Sequence, residues 1–463
     1  METIKRLKAV ADMQASRWKI LALAGPALTW ILLVAGFFLL PHFKTPLLYP
    51  WRPVETPLFL SVAVIGAWLA HRARRMNSGF WRKQEASLRL GLWLILGAGV
   101  LGMEGWFLWQ KRAVLAGDAD MARMGRHFIV GFQRFEDVQP LAERGLIGGI
   151  YLGRHNLAGE SVASLRAKID ALQASRRKAN LPPLFVVADQ EGGIVSRLSP
   201  PLEPLPSLAT LVASGEPETL EKRAHAYGKR QGRALAGLGV NMNLAPVVDL
   251  KPEKKGDWHD QHTLIERRAI SSKPWIVARV ASAYGQGLME SGVQPTVKHF
   301  PGLRAVQGDT HLIPASLVHS PEKRQADWFP FQTVTARTGA AMMLAHVRLP
   351  DIDPDYPASL SHVLVQKVLR GREEGGWNYQ ELLMTDDLNM GAVYADGIGL
   401  AATRALGAGV DLLLISYDPD QYYPALFQTA KSWRQGEIDI LREAESAERI
   451  QRHWRQKMDI PPD

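Results

Sequence analysis

Pro295-Thr296-Val297-Lys298-His299-Phe300-Pro301-Gly302 and Glu381-Leu382-Leu383-Met384-Thr385-Asp386-Asp387-Leu388-Asn389-Met390 decide the fold. Each is an apolar run that gives way to charged residues at its far end, as a buried strand does where it emerges at the edge of a sheet. Six more runs share this texture: His127–Phe132, Gly148–Gly153, Pro183–Asp189, Asn241–Pro246, Ala340–Val347 and Val410–Ser416. Between most of them lie helix-like stretches such as Gly159–Lys178, Leu220–Leu238 and Pro274–Ser291, and an amphipathic helix is expected over Ile438–Met458. Strands alternating with helices argue for a parallel sheet covered on both faces, and eight of them predict an α/β fold, a closed (β/α)8 TIM-type barrel. Asp189 ends the third strand, Lys298 and His299 the fifth, His346 the sixth, and Asp386 and Asp387 the seventh. One such residue is ordinarily a cap or a turn. Repeated at strand ends that face a common mouth, the pattern points to a site.

The net charge of +9 is unevenly spread. Residues 1–115 hold 15 Lys and Arg against 5 Asp and Glu, which leaves the remaining 348 residues at −1. The basic residues therefore flank the longest apolar runs, which favours a lipid bilayer as partner and speaks against nucleic acid. Ile20–Leu40 is 21 residues without a charge, enough to cross a core of roughly 30 Å at about 1.5 Å per residue. Pro57–Ala70 is shorter, extended toward the interfaces by Val54 and by Trp51 and Trp68, and Leu90–Trp109 is the third run. A cleaved signal peptide accounts for the first run alone and leaves the other two unexplained. The expectation is an all-α transmembrane anchor of about three helices over 1–115, with spans near 20–40, 54–71 and 90–109, ahead of a catalytic barrel over 120–458. Lys5, Arg6, Lys8, Arg17 and Lys19 precede the first span, and Arg72, Arg74, Arg75, Arg82, Lys83 and Arg89 lie between the second and third. The positive-inside rule then puts the N-terminus in the cytoplasm and the barrel outside it. The chain has no cysteine, so disulfides and thiolate metal sites are excluded.

The polar segments of the barrel read in order as Asp189-Gln190-Glu191-Gly192-Gly193 with Arg197, then Gly239-Val240-Asn241-Met242-Asn243-Leu244-Ala245-Pro246-Val247-Val248-Asp249-Leu250, Lys298–Gly302, Asp309-Thr310-His311, Ala345-His346-Val347, Thr385–Met390 and Ala408-Gly409-Val410-Asp411. In this order and spacing, from about residue 120 to 455, the chain resembles glycoside hydrolase family 3, in its single-domain β-N-acetylglucosaminidase branch. The resemblance implies a retaining exo-glycosidase that removes terminal N-acetylglucosamine from peptidoglycan fragments or related glycans. It makes Asp386 the nucleophile and His311, paired with Asp309, the proton shuttle. A histidine suits that task because its pKa near 6.5 lets it protonate a leaving oxygen and then deprotonate water. Sugar-binding roles carry over to Asp189, Arg197, Arg268, Lys298 and His299, and no cofactor or metal is implied.

Two segments depart from the family pattern. Leu303-Arg304 stands where relatives usually have His-Gly, and Ala269-Ile270-Ser271 after Arg268 is less typical. Two other readings compete. One is a β-glucosidase or β-xylosidase of the same family, which the Asp309-x-His311 loop disfavours. The other is a non-catalytic membrane-bound glycan-binding protein.

Overall fold

The computed structural model describes residues 26–214, 216–252, 263–306, 315–318, 320–394 and 397–458. Asp309 and His311 lie outside them. The chain divides into two compact units, Met1–Trp109 and Gln110–Asp463.

In the first unit, an apolar helix over Pro26–His42 is followed by helices Arg52–Met76 and Phe80–Ala116, the last of which runs on into the second unit. The stretches Pro46–Met76 and Phe80–Ala116 are long and apolar enough to cross a bilayer. Both helices are longer than the spans expected at 54–71 and 90–109. The basic flanks Arg72–Arg75 and Arg82–Arg89 are good helix formers, so the helices continue through them and break only around Asn77–Gly79. Leu33, Ala63, Ala70, Trp93 and Leu96 form a buried seam. Gly66 admits the Trp93 indole, since a β-carbon there would sit 2.2 Å from the ring. Polar clasps join the helices at two levels. Arg89, 3% exposed, pairs with Glu85 at 3.0 Å and donates to Thr29 Oγ1 at 2.7 Å. At the other level Lys44 pairs with Glu104 at 2.9 Å and Thr56 Oγ1 donates to Glu104 at 2.6 Å. The outward faces stay apolar, with Val64, Ile65, Leu94, Ile95 and Leu101 each more than half exposed.

In the second unit eight parallel strands close a barrel: β1 (Phe128–Val130), β2 (Gly149–Leu152), β3 (Phe185–Ala188), β4 (Met242–Asn243), β5 (Gln294–Phe300), β6 (Ala341–Leu344), β7 (Leu383–Asp387) and β8 (Leu412–Ile415). Each neighbours the next in sequence, and β8 closes on β1 through Phe128 opposite Leu413. All eight fall where the apolar runs place them. The expected sixth strand is cut short because the chain turns at His346, and Val347–Leu349 joins a separate small sheet with Ala315–Ser316 and Asp353–Pro357.

Helices α1 (Phe135–Glu143), α2 (Val162–Lys178), α3 (Leu220–Leu238), α4 (Pro274–Met289), α5 (Pro321–Thr338), α6 (Ile398–Ala408), α7 (Tyr422–Arg434) and α8 (Ile440–Met458) cover the outside and the bottom. Alternate strand residues fill the barrel: Ile129, Val187, Met242, Met343, Met384, Leu412 and Leu414 are all buried. Ile450 and Trp454 of α8 close the N-terminal end, with Trp454 4.6 Å from the Phe185 ring. That plug leaves the strands' C-terminal ends as the open mouth.

The barrel wall is tight where α3 meets α4. A β-carbon on Gly228 would lie 2.1 Å from the Tyr284 carbonyl oxygen, and one on Gly287 2.3 Å from that of His225. Neither backbone can yield without parting the helices. Gly228→Ala is therefore expected to destabilise the catalytic unit by about 2 kcal/mol or more, read as a lowered unfolding midpoint of the full chain. An unchanged midpoint would mean that the helices separate freely.

Candidate active site

Three devices fix the polar groups at the mouth. The first is a hairpin after β3, in which Gln190–Gly192 pairs with Val195–Ser196. Its turn needs glycine: Gly192 has φ +93°, and a β-carbon there would meet the Tyr227 hydroxyl at 2.3 Å. The second is Asn243 on β4. Its side chain accepts from Gln190 N–H at 3.0 Å and donates to Gln190 C=O at 2.9 Å, extending the strand ladder with an amide side chain. The third is a pair of register slips. The β5–β6 ladder slips between Val297 and Phe300, and the β7–β8 ladder between Met384 and Asp387. Such slips re-aim side chains, and here they fall at Lys298-His299 and at Thr385-Asp386.

The resulting groups form a continuous chain of charge. Lys298 Nζ lies 2.6 Å from Asp189 Oδ1 and 2.7 Å from Glu191 Oε1. Arg268, on the short helix Ile265–Arg268, forks onto both oxygens of Glu191 at 2.6 and 3.0 Å. Its outer nitrogen also faces His299 Nε2 at 3.2 Å. On the far side of that ring, Nδ1 meets Asp249 Oδ2 at 2.7 Å. An arginine only donates, so Nε2 accepts and the proton sits on Nδ1, donated to Asp249. Asp249 also accepts from the backbone N–H of His299 and of Leu303, locking the end of β5.

Burial alone would raise the Glu191 pKa, but the charges of Arg268 and Lys298 outweigh it and hold the carboxyl well below the usual carboxylate range. Tyr151 at the end of β2 has its phenol pushed up, first by burial and then by the charge of Asp189, with Arg197 opposing. The charge of Asp387 acts on the same phenol.

Asp386 and Asp387 close the opposite side. Asp387 accepts from Ser416 Oγ at 2.6 Å and from the backbone N–H groups of Ser416 at 3.2 Å and Tyr417 at 2.8 Å. It also accepts from Asn389 N–H at 3.0 Å and Nδ2 at 2.9 Å. Burial still raises its pKa, because these bonds offset the loss of water only in part. Asp386 accepts from Asp387 N–H at 2.9 Å and is half-buried. His346 donates through Nε2 to the Asp387 carbonyl at 3.0 Å, and its Nδ1 shares a hydrogen bond with Ser359 Oγ at 2.7 Å.

The structure thus gathers Asp189, Lys298, Arg268 and His299 into one cluster. Two N–H groups of Lys298, expected as a donor to a ligand, go to Asp189 and Glu191. Arg197 is exposed, and its backbone N–H donates to the Asp189 carbonyl at 3.2 Å. The sequence also allowed Arg197 a salt bridge to Glu191 or Asp189 in place of a ligand role; Arg268 and Lys298 occupy the Glu191 carboxylate. Sequence reasoning assigned no further role to Glu191 and none to Asp249 or Tyr151. A buried acid must face a buried base, and the excess of Lys298 and Arg268 over Asp189 alone was the signal for Glu191. The described chain enters the 307–314 segment from Leu303, fixed to Asp249, and leaves it at Ala315, paired with Val347.

The model of the glycosyl hydrolase family 3 N-terminal domain matches residues 121–453. This chain belongs to glycoside hydrolase family 3 and is a glycoside hydrolase. A beta-hexosaminidase of Neisseria gonorrhoeae is 34% identical over 298 residues, covering 63% of this chain and 77% of the relative. One from Xylella fastidiosa is 33% identical over 275 residues, 58% and 76% of the two chains. Among solved structures, a family 3 beta-N-acetylglucosaminidase from a Paenibacillus species superposes with a TM-score of 0.65 at 29% identity, over 74% of this chain and 63% of that longer one. A family 3 member from Mycobacterium smegmatis gives 0.64 at 28%, over 74% and 98%.

Glu191→Gln would leave Arg268 and Lys298 short of a buried counter-charge, a loss of about 3 kcal/mol. The folded pKa of Glu191 lies below its unfolded value, so its stabilisation is complete above the ordinary glutamate value of 4.5 and is lost as pH falls below it. The gap between wild type and Glu191→Gln in chemical denaturation is expected to be constant above that value and to shrink below it. A gap that widened on acidification would contradict the ion-pair assignment.

Proposed function

We propose that the chain is a membrane-anchored, retaining exo-β-N-acetylglucosaminidase acting on peptidoglycan fragments or related glycans. The observation that carries this reading is the pair of neighbouring acids at the end of β7, where the ladder to β8 slips. Asp387 accepts from five donors and serves the scaffold. Asp386, half-buried beside it, accepts its neighbour's N–H and is the acid assigned to the anomeric carbon. The names of the relatives supply the sugar. Asp386 attacks that carbon and forms a glycosyl ester, while His311 gives its proton to the departing oxygen. His311 then takes a proton from water, which cleaves the ester with net retention. Asp309 orients the ring and favours its charged form. Asp189 accepts from sugar hydroxyls, while Arg197, Arg268, Lys298 and His299 border the same sugar.

Asp386→Ala is expected to cost several orders of magnitude in turnover, and Asp387→Asn less. General acid help is worth roughly 10²–10⁴-fold and matters most for a poor leaving group. His311→Ala should therefore slow a natural disaccharide strongly and a nitrophenyl N-acetylglucosaminide less, with Asp309→Ala weaker in the same direction. Equal losses on both substrates would point to binding damage, and faster turnover of the nitrophenyl glucoside than of the N-acetylglucosaminide would move the assignment to a β-glucosidase.

The membrane part of the proposal rests on the apolar outer faces of the first unit and on its tryptophans. Trp81 and Trp106 on one helix are 81% and 56% exposed. Their separation of 25 residues, about 38 Å of helix at 1.5 Å per residue, is close to the spacing of two bilayer interfaces. A crossing by all three helices puts the barrel outside the cytoplasm. An export-dependent reporter fused after Asp463 is expected to be active. Activity of a cytoplasm-only reporter there would overturn the three-span topology.

A further inference from the structure

The point at which the chain enters the catalytic unit is fixed by contacts along residues 110–120. Lys111 Nζ lies 4.6 Å from the centre of the Tyr423 ring and 3.8 Å from Asp420 Oδ1. Both partners stand at the start of α7, just after β8. Val114 is buried, and Arg144, which follows α1, donates to the carbonyls of Leu115, Ala116 and Gly117. Arg434, the last residue of α7, pairs with Asp120 at 3.0 Å and with Asp118. Each outer helix of such a barrel follows a strand that ends at the mouth, and so runs from mouth to base. Residues 111–120 therefore descend beside α7 in the same direction, and the chain enters this unit at the level of the mouth. Gln110–Ala116 are the last turns of the helix Phe80–Ala116, which is long and apolar enough to cross a bilayer.

The loops around the mouth carry apolar side chains turned to solvent. Ile194 lies in the hairpin turn after β3, and Trp275 opens α4. Val318 precedes α5, Tyr356 belongs to the small sheet after β6, and Tyr417 follows β8. Each is more than a third exposed, Val318 the most at 81%. Five separate connections from strand to helix thus each present one large apolar residue. Among the described residues of this unit, the other large apolar side chains so exposed are Phe329 on α5 and Ile440 and Leu441 at the start of α8, on the base. One such residue is ordinary on any surface; a ring of them around one face marks a surface that leaves water. Tryptophan, tyrosine and lysine are the side chains that settle at headgroup level, and the exposed Lys273 stands two residues before Trp275.

We infer that the mouth loops of the catalytic unit rest on a lipid surface, with Trp275, Val318 and Tyr417 among the headgroups. The inference rests on the membrane-anchor reading above and adds the face that the barrel turns to the bilayer. A glycan reaches Asp386 along the membrane surface in this arrangement, and not from the bulk.

The chain has no cysteine, so single cysteines introduced into the full chain can be labelled with an environment-sensitive fluorophore. Trp275→Cys, Val318→Cys, Leu441→Cys and Ile95→Cys are each placed in phosphatidylcholine nanodiscs, one chain per disc. The lipid carries a spin-label quencher either at the headgroup or deep in the acyl chain. Labels at Trp275 and Val318 are expected to lose most of their fluorescence to the headgroup quencher, and the label at Ile95 to the acyl-chain quencher. The label at Leu441 should keep its fluorescence with both. Each labelled protein is compared with itself in quencher-free discs, so differences in yield do not enter. Quenching at Leu441, or its absence at either Trp275 or Val318, overturns the inference while leaving the anchor in place. Absence at Ile95 as well means that the anchor reading fails and the inference with it. Unquenched Trp275 and Val318 that crosslink between two chains in detergent would give the rim to a second copy, and would overturn the inference in the same way.

Discussion

Lys298 brings an ammonium group to a position where 2% of its side chain meets solvent. A lone charge so placed costs several kcal/mol, and only close, well-aligned partners offset that cost. Much of the mouth is arranged around this requirement. Glu191 can serve Lys298 only if the chain turns sharply after β3, which the left-handed Gly192 and Gly193 permit. Glu191 then draws in Arg268, Arg268 faces His299, and His299 is held from behind by Asp249. On the proposed function, a sugar-binding surface made this way is stiff before any sugar arrives. Pre-formed polar groups need little reorganisation when charge develops on the substrate.

The strand opposite divides its work between adjacent residues. The pleat and the register slip between Met384 and Asp387 send Asp386 and Asp387 in different directions. Asp387 ties β7 to the Ser416–Tyr417 turn and to Asn389, and its carbonyl receives His346. The Ser416–Tyr417 turn and Asn389 thereby converge on its carboxyl group, and His346 on its carbonyl. On the proposed mechanism, the stiffness delivered to Asp386 in this way matters as much as its chemistry, because attack on an anomeric carbon tolerates little misplacement.

Much of this architecture was legible in the sequence, and the reasons differ by element. The barrel strands are buried on both faces, so runs such as Phe185–Ala188 and Leu412–Ile415 stand out as unbroken apolar segments. Asp386 and Lys298 stood out because charged residues recur at the ends of several such runs, a pattern that a single cap or turn does not explain. Glu191 was harder to read: in sequence it is one acid in a glycine-rich turn, and its role exists only once Arg268, 77 residues away, folds back onto it. Asp249 and Tyr151 were missed for the same reason, since their partners come from other strands. The helices over Arg52–Met76 and Phe80–Ala116 run beyond the apolar segments expected at 54–71 and 90–109, because hydropathy marks the apolar segment and not the charged turns that continue its helix. Leu303-Arg304, unusual beside the family pattern, has a local account. Arg304 pairs with the buried Asp327 of α5 at 2.7 Å, fastening the stem of the segment that carries Asp309 and His311.

The central claim is that Asp386, and not its neighbour, forms a covalent bond to the sugar. A fluorinated N-acetylglucosaminyl donor with a good leaving group forms the ester quickly and hydrolyses slowly, so the intermediate accumulates. Mass spectrometry of the digested protein should find one added sugar on the peptide containing Thr385–Met390, with fragmentation placing it on Asp386. A sugar on Asp387, or a wild-type enzyme that turns over the donor with inversion and never carries the label, would contradict the account.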